Sequence, residues 1–150
     1  MENKTSRMDA VTEARTWIGT PFKHQGCLKN VACDCIGLIK GVGVELKLVD
    51  YDPASAQARG FANYSMMPDS KRMREGLGTW LVPISVPEAT LADIYFMAWG
   101  REPQHVALIT DKGIIHSYSG VKQVVEHGLD EQWKRRIVAA YRYPYFTMSD

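Results

Sequence analysis

Asp34-Cys35-Ile36-Gly37-Leu38-Ile39-Lys40-Gly41-Val42-Gly43-Val44 is the segment that fixes the architecture expected of this chain. Apolar residues fall on nearly every side of it, so it reads as a central buried helix over residues 35–46. Asp34 is placed to accept backbone N–H groups as its N-cap. Three glycines lower the intrinsic helicity, and close packing against a neighbour is the reason a buried helix would keep them. Cys35 falls in the first turn, among unpaired backbone N–H groups and at the positive end of the helix dipole. Both features stabilise a thiolate, the nucleophilic form of cysteine. The same N–H groups can donate to the oxyanion formed when a thiolate attacks a carbonyl. The bland alternative, a small buried packing residue, stays open on this segment alone.

Upstream, Ala10, Val11, Ala14, Trp17 and Ile18 recur at three- and four-residue steps, which predicts an amphipathic helix over 9–18 with Asp9 as N-cap and Gly19 as its stop. Residues before it form a polar tail, Thr20-Pro21 forces an extended segment, and 23–33 reads as a loop. Downstream, 53–59 and 69–77 can each form a short helix. From there the pattern changes to short β-prone runs at 94–99, 105–110, 113–118, 123–126 and 137–143, with a tight turn at Asp111-Lys112-Gly113 and a helical turn over 129–134. Helices first and an antiparallel meander second make an α+β fold: one domain over 1–150, with tails at 1–8 and 144–150 and a sheet of about five strands.

The composition is that of a globular protein, with 45% hydrophobic and 23% charged residues in a chain of 150. A formal net charge of +1 argues against a nucleic-acid partner. The basic run Lys134-Arg135-Arg136 reads as a solvated helix end. Three cysteines, Cys27, Cys33 and Cys35, crowd into nine positions, which is no disulfide framework and leaves at least one thiol. The polar start carries no apolar run, so neither a signal peptide nor membrane insertion is expected.

A thiol nucleophile needs a base that later returns a proton to the leaving amine, and histidine suits that task near neutral pH. His105 opens the apolar run Val106-Ala107-Leu108-Ile109, a rigid seat for a polar ring at a strand end. His116 follows Gly113-Ile114-Ile115 on the next strand of the expected hairpin. On neighbouring strands the two rings can bond side by side, His116 orienting His105 and holding its tautomer. A thiolate–imidazolium pair so formed would keep Cys35 open to alkylation well below pH 8. Tyr118, Trp99 and Trp133 read as core aromatics, with lining of a substrate groove the alternative. His24, Cys27, Cys33 and Cys35 admit a metal-ligand reading, but their spacing fits no common zinc module; Cys27 and Cys33 read instead as packing thiols or a reversible pair.

Asp34-Cys35-Ile36-Gly37-Leu38, His105-Val106-Ala107-Leu108-Ile109 and Gly113-Ile114-Ile115-His116 together resemble the three signature blocks of NlpC-type cell-wall peptidases, papain-like thiol enzymes. Gly19-Thr20-Pro21-Phe22-Lys23-His24-Gln25-Gly26 and Ala92-Asp93-Ile94-Tyr95-Phe96 are similar to the same pattern, and the likeness covers about residues 9–143. Pro21-Phe22-Lys23-His24-Gln25 beside an Asp-Cys block resembles most the subgroup carried by tailed phages and gene-transfer particles. The resemblance implies a papain-like core with Cys35 as nucleophile, His105 as base and His116 as the orienting residue. It implies cleavage of peptidoglycan stem peptides between D-γ-glutamyl and a diamino acid, with no metal or organic cofactor. It further implies tail-tip or hub proteins as partners, and delivery by a virion to the host periplasm and cell wall. Phe22 stands where many relatives have a tyrosine, so a hydroxyl is missing there; Phe22, His24 and Asp34 are the candidate substrate-binding residues. Ile36 stands where a serine is common, and the interval from Cys35 to His105 is long, the extra chain over 50–80 shaping a groove or a docking surface. Two other roles fit the same chain: a structural tail-tip protein with weak or lost catalysis, or an amidase or acyl transferase using the same Cys35 and His105.

Overall fold

The computed structural model describes residues 5–50, 70–98 and 105–146. In chain order they form α1 (Arg7–Arg15), β1 (Cys27–Leu28), β2 (Ala32–Cys33), α2 (Cys35–Glu45), α3 (Ser70–Leu77) and β3 (Val82–Ile84). A 3-10 turn (Val86–Glu88) leads into β4 (Ile94–Met97), β5 (His105–Thr110), β6 (Gly113–Tyr118), β7 (Gln123–His127), α4 (Glu131–Lys134) and β8 (Ile137–Arg142). The expected α+β order holds. The helix expected over 53–59, and Trp99, lie outside the described residues.

Helix α1 begins two residues before the expected start. Ser6, not Asp9, is its cap: the Ser6 hydroxyl accepts the Asp9 N–H at 3.0 Å and the Asp9 carboxylate accepts the Ser6 N–H at 2.9 Å. Two good capping residues three apart form a reciprocal box, which satisfies two end donors where Asp9 alone would satisfy one. Arg7 and Met8, expected to belong to a tail, are thereby drawn into the helix, and Arg7 reaches the fully buried Asp93 carboxylate at 2.9 Å. Arg142 of β8 reaches the same carboxylate at 2.9 Å, so one buried anion, directly before β4, ties α1 to β4 and β8.

Six strands form one antiparallel sheet in the order β3-β8-β4-β5-β6-β7, one more than the sequence indicates. The added strand, β3, carries Pro83 and, among the described residues, pairs only with β8 at the sheet edge. A proline in a three-residue run masks the strand signal and confines it to an edge. A two-stranded ribbon, with Cys27 opposite Cys33, occupies part of the segment read as loop.

Helix α2 lies against β5 and β6 over the main core, which includes Trp17, Ile39, Val42, Leu108 and Ile115. Its glycines allow close packing, as expected: a Cβ on Gly37 would overlap the Gly26 carbonyl oxygen, and one on Gly41 would overlap the Trp17 indole. A second, smaller cluster of Met97, Ala107 and Ile114 packs with Tyr95, Trp133 and Ile137. Ala107 and Ile114 alternate in their strands with Val106, Leu108 and Ile115 of the main core, so this cluster lies on the opposite face of the sheet.

Candidate active site

Asp34 builds the start of α2. One carboxylate oxygen accepts the Gly37 N–H at 2.8 Å and the other accepts the Gln25 N–H at 2.7 Å. The first bond caps the helix and the second pins the preceding loop to it. At 3% exposure and with both oxygens so engaged, Asp34 fills the capping role expected of it. Cys35 follows at the first helical position. Its side chain is half-buried, and the nearby backbone N–H groups of Val106, Ile36 and Cys35 itself favour the thiolate. Val106 adjoins His105, and α2 packs on β5, so the helix start lies near the start of that strand.

The histidines follow from strand register. β5 and β6 pair Leu108 with Ile115, and β6 and β7 pair His116 with Val125. Continuing the first register sets His116 on the diagonal from His105, and the second sets His127 on the same diagonal from His116. Diagonal neighbours on one sheet face lie within reach of long or ring side chains. His105 Nε2 is 2.6 Å from His116 Nδ1, and His116 Nε2 is 2.8 Å from His127 Nε2. The row ends at the Gly128 carbonyl oxygen, 2.9 Å from His127 Nδ1. Each step spans 11 residues of sequence.

Aromatic side chains enclose the middle ring. Tyr118 stacks on His116 at 5.3 Å and 6°, and Trp133 meets it edge-on at 5.1 Å. Trp133 also lies 5.0 Å from the His127 ring, and the Arg136 guanidinium sits 4.5 Å over the Trp133 ring. Tyr118 and Trp133 therefore wall in the histidine row, nearer their core reading than a groove. Arg136 is half-buried against this wall, not the freely solvated helix end expected.

Burial dominates the electrostatics. It pushes the Cys35 thiol up to about 12, with the Asp34 charge adding to it, against the lowering effect of the three N–H donors. It brings His105 down to about 3, aided by the charges of Arg136 and His127. His116 falls to about 2 by burial and by the neighbouring His105 and His127. Burial thus favours a neutral thiol at Cys35 and a neutral ring at His105, and acts against the thiolate that the helix N-terminus promotes. Nε2 of His105 faces His116, which leaves Nδ1 as the ring nitrogen turned away from the row.

The remaining candidates sit apart. Phe22 is half-buried, bridged to Cys33, with its N–H on the Lys122 carbonyl at 2.8 Å. His24 is exposed on a turn, and among the described residues no contact joins its ring to Cys35 or to the histidine row. Cys27 donates to the Gly37 carbonyl at 3.2 Å, and Cys33 is buried with its thiol pushed up to about 11, chiefly by burial. Among the described residues no three His, Cys, Asp or Glu side chains are grouped to hold a metal ion, so the four-ligand metal reading finds no support. Sequence reasoning missed His127 and the placement of Arg136. The equal 11-residue spacing of His105, His116 and His127 was the available signal, since two successive hairpins of equal span repeat one diagonal.

Neither a family model nor a curated protein sequence matches this chain. Solved structures do. The NlpC/p60 domain of the peptidoglycan hydrolase SagA superposes with a TM-score of 0.62 at 21% identity, over 91% of this chain and 98% of that one. An NlpC/P60 family protein from Bacillus cereus gives 0.64 at 19% identity, over 93% of this chain and 41% of that one. A lipoprotein-like NLP/P60 family protein from Staphylococcus aureus gives 0.58 at 20% identity, over 93% and 43%. The chain therefore spans less than half the length of those two proteins. What is shared at such identities is architecture, and the architecture of this chain is the papain-like α+β fold of NlpC/p60 domains.

Proposed function

We propose that this protein is a cysteine peptidase of the bacterial cell wall that cuts peptidoglycan stem peptides at the bond between D-γ-glutamyl and a diamino acid. The observation that carries the reading is a cysteine at a helix N-terminus near Val106, the neighbour of His105, which heads a buried histidine row. Cys35 is the nucleophile, His105 the general base and acid, and His116 the group that orients His105.

The resting thiol is neutral, so attack is coupled to proton transfer. The Cys35 proton moves to His105 Nδ1 as the sulfur bonds to the substrate carbonyl carbon. Backbone N–H groups at the start of α2 are suited to receive the developing oxyanion. The carbon–nitrogen bond then breaks, and the amine leaves with the proton from His105. Water attacks the thioester, passing its proton to His105, and the acid product departs as the thiol is restored. His116 accepts from the His105 Nε2–H throughout and stabilises the transient imidazolium, the third role of a triad.

Delivery by a phage or phage-like tail tip belongs to the same proposal. It rests on the likeness of Pro21-Phe22-Lys23-His24-Gln25 and the Asp34-Cys35 block to that subgroup. Purified peptidoglycan digested with the protein, followed by mass spectrometry of the new termini, tests the reading. A free D-glutamyl γ-carboxyl paired with a new diamino-acid amine is expected, lost in Cys35→Ala and in His105→Ala. New sugar–peptide amide ends, or acyl exchange, would assign the same pair to amidase or transferase chemistry. No product, together with particles that assemble and infect normally carrying both substitutions, would leave a structural role.

A further inference from the structure

We propose that His127 is a positioning residue for this reaction: its bond to the Gly128 carbonyl sets the direction of every proton along the histidine row and presents His105 with Nδ1 unprotonated. The inference deepens the peptidase reading and rests on it.

The argument runs from one backbone oxygen. A carbonyl oxygen only accepts, so the His127 nitrogen 2.9 Å from Gly128 O carries a hydrogen, and that nitrogen is Nδ1. In a neutral ring Nε2 is then a lone pair. It lies 2.8 Å from His116 Nε2, which must therefore be the donor. His116 Nδ1 is left as an acceptor, 2.6 Å from His105 Nε2, which must donate in turn. His105 Nδ1 is the lone pair at the end of this sequence, the form a general base requires.

Without the carbonyl the row would have two senses. Reversing every proton preserves both ring-to-ring bonds but puts a hydrogen on His105 Nδ1, where it blocks acceptance of the thiol proton. The Gly128 carbonyl forbids the reversed sense, because His127 would then face it with a lone pair. His116 is fully buried between Tyr118 and Trp133, so water does not readily substitute for His127 as its partner. Neutral rings are a condition of the scheme. Burial and the Arg136 charge both oppose a proton on His105 at rest. During catalysis the new imidazolium already points its Nε2–H at a lone pair, so no ring has to turn.

The test reads tautomers directly, on full-length protein labelled with ¹⁵N-histidine, by long-range ¹H–¹⁵N correlation spectra near neutral pH. Expected are Nε2–H forms for His105 and His116 and the Nδ1–H form for His127. In His127→Gln the amide oxygen can take the His116 proton, so the His105 and His116 tautomers and cleavage within about threefold should persist. In His127→Leu the acceptor is gone; mixed tautomers and a kcat lower by about tenfold, with KM unchanged, are expected. Protonated Nε2 on His127 in the unmodified protein, or pure Nε2–H forms for His105 and His116 in the Leu variant, would overturn the role of His127. The spectra are recorded on resting protein, so the two readings fail separately. The expected pattern in a protein that leaves peptidoglycan uncut would overturn the peptidase reading instead.

Discussion

Mild acid should destabilise this fold more than an ordinary domain of its size, and the histidine row sets the amount. His105 is 7% exposed and His116 0%, and burial holds them at about 3 and about 2. Unfolding returns each ring to an ordinary value near 6.5. A depressed folded value means that the unfolded chain binds more protons once the pH falls below about 6.5. The stability contribution is therefore complete above that point and is lost as pH drops toward the folded values. At pH 5 each ring costs about RT ln(1 + 10^1.5), or about 2 kcal/mol, against about 0.2 at pH 7. Two rings give about 4 kcal/mol, a large share of a stability of about 5–15. The figure needs only that both folded values lie below 5. Asp111 and Glu126 are held below their usual values by their bonds to Arg15. Urea unfolding at pH 7 and pH 5 measures the effect: with a slope of about 2 kcal/mol per molar, the midpoint should fall by about 2 M. His116→Gln removes one of the two rings and should halve the difference. Midpoints within about 0.5 M of each other, or a Gln variant as acid-sensitive as the parent, would refute the reasoning.

Three further outcomes are expected. Alkylation of Cys35 by iodoacetamide should keep accelerating as pH rises through 9, because its thiol is pushed up to about 12; a rate already level at pH 7 would show a resting ion pair instead. Asp34→Ala leaves the Gly37 and Gln25 N–H groups unsatisfied and should cost about 2–4 kcal/mol in urea unfolding. Asp34→Asn, which keeps a single acceptor oxygen, should cost about half as much, and equal losses would count against two separate bonds. Gly37→Ala drives a Cβ into the Gly26 carbonyl and should destabilise by about 1–3 kcal/mol despite better helix propensity, whereas Gly78→Ala meets only ordinary contacts and should leave the urea midpoint nearly unchanged.

Local chemistry was legible in the sequence. Asp34 before an all-round apolar helix gave both the cap and the burial of α2, and the glycines in that helix pointed to close neighbours. The runs from His105 and from Gly113 gave a hairpin, and hence the pairing of His105 with His116. Such features depend on residues close in the chain, where period and capping act directly. The edge strand β3 was hidden because Pro83 weakens the local signal while pairing with β8, almost 60 residues on, supplies the order. The third ring of the row needed two registers at once, and register belongs to the sheet, not to a strand. Burial bears on the charge states: Cys35 starts a helix, which favours a thiolate, but the surrounding packing pushes its thiol up and the His105 ring down. Desolvation depends on every atom packed around a group, and so only the tertiary structure determines it.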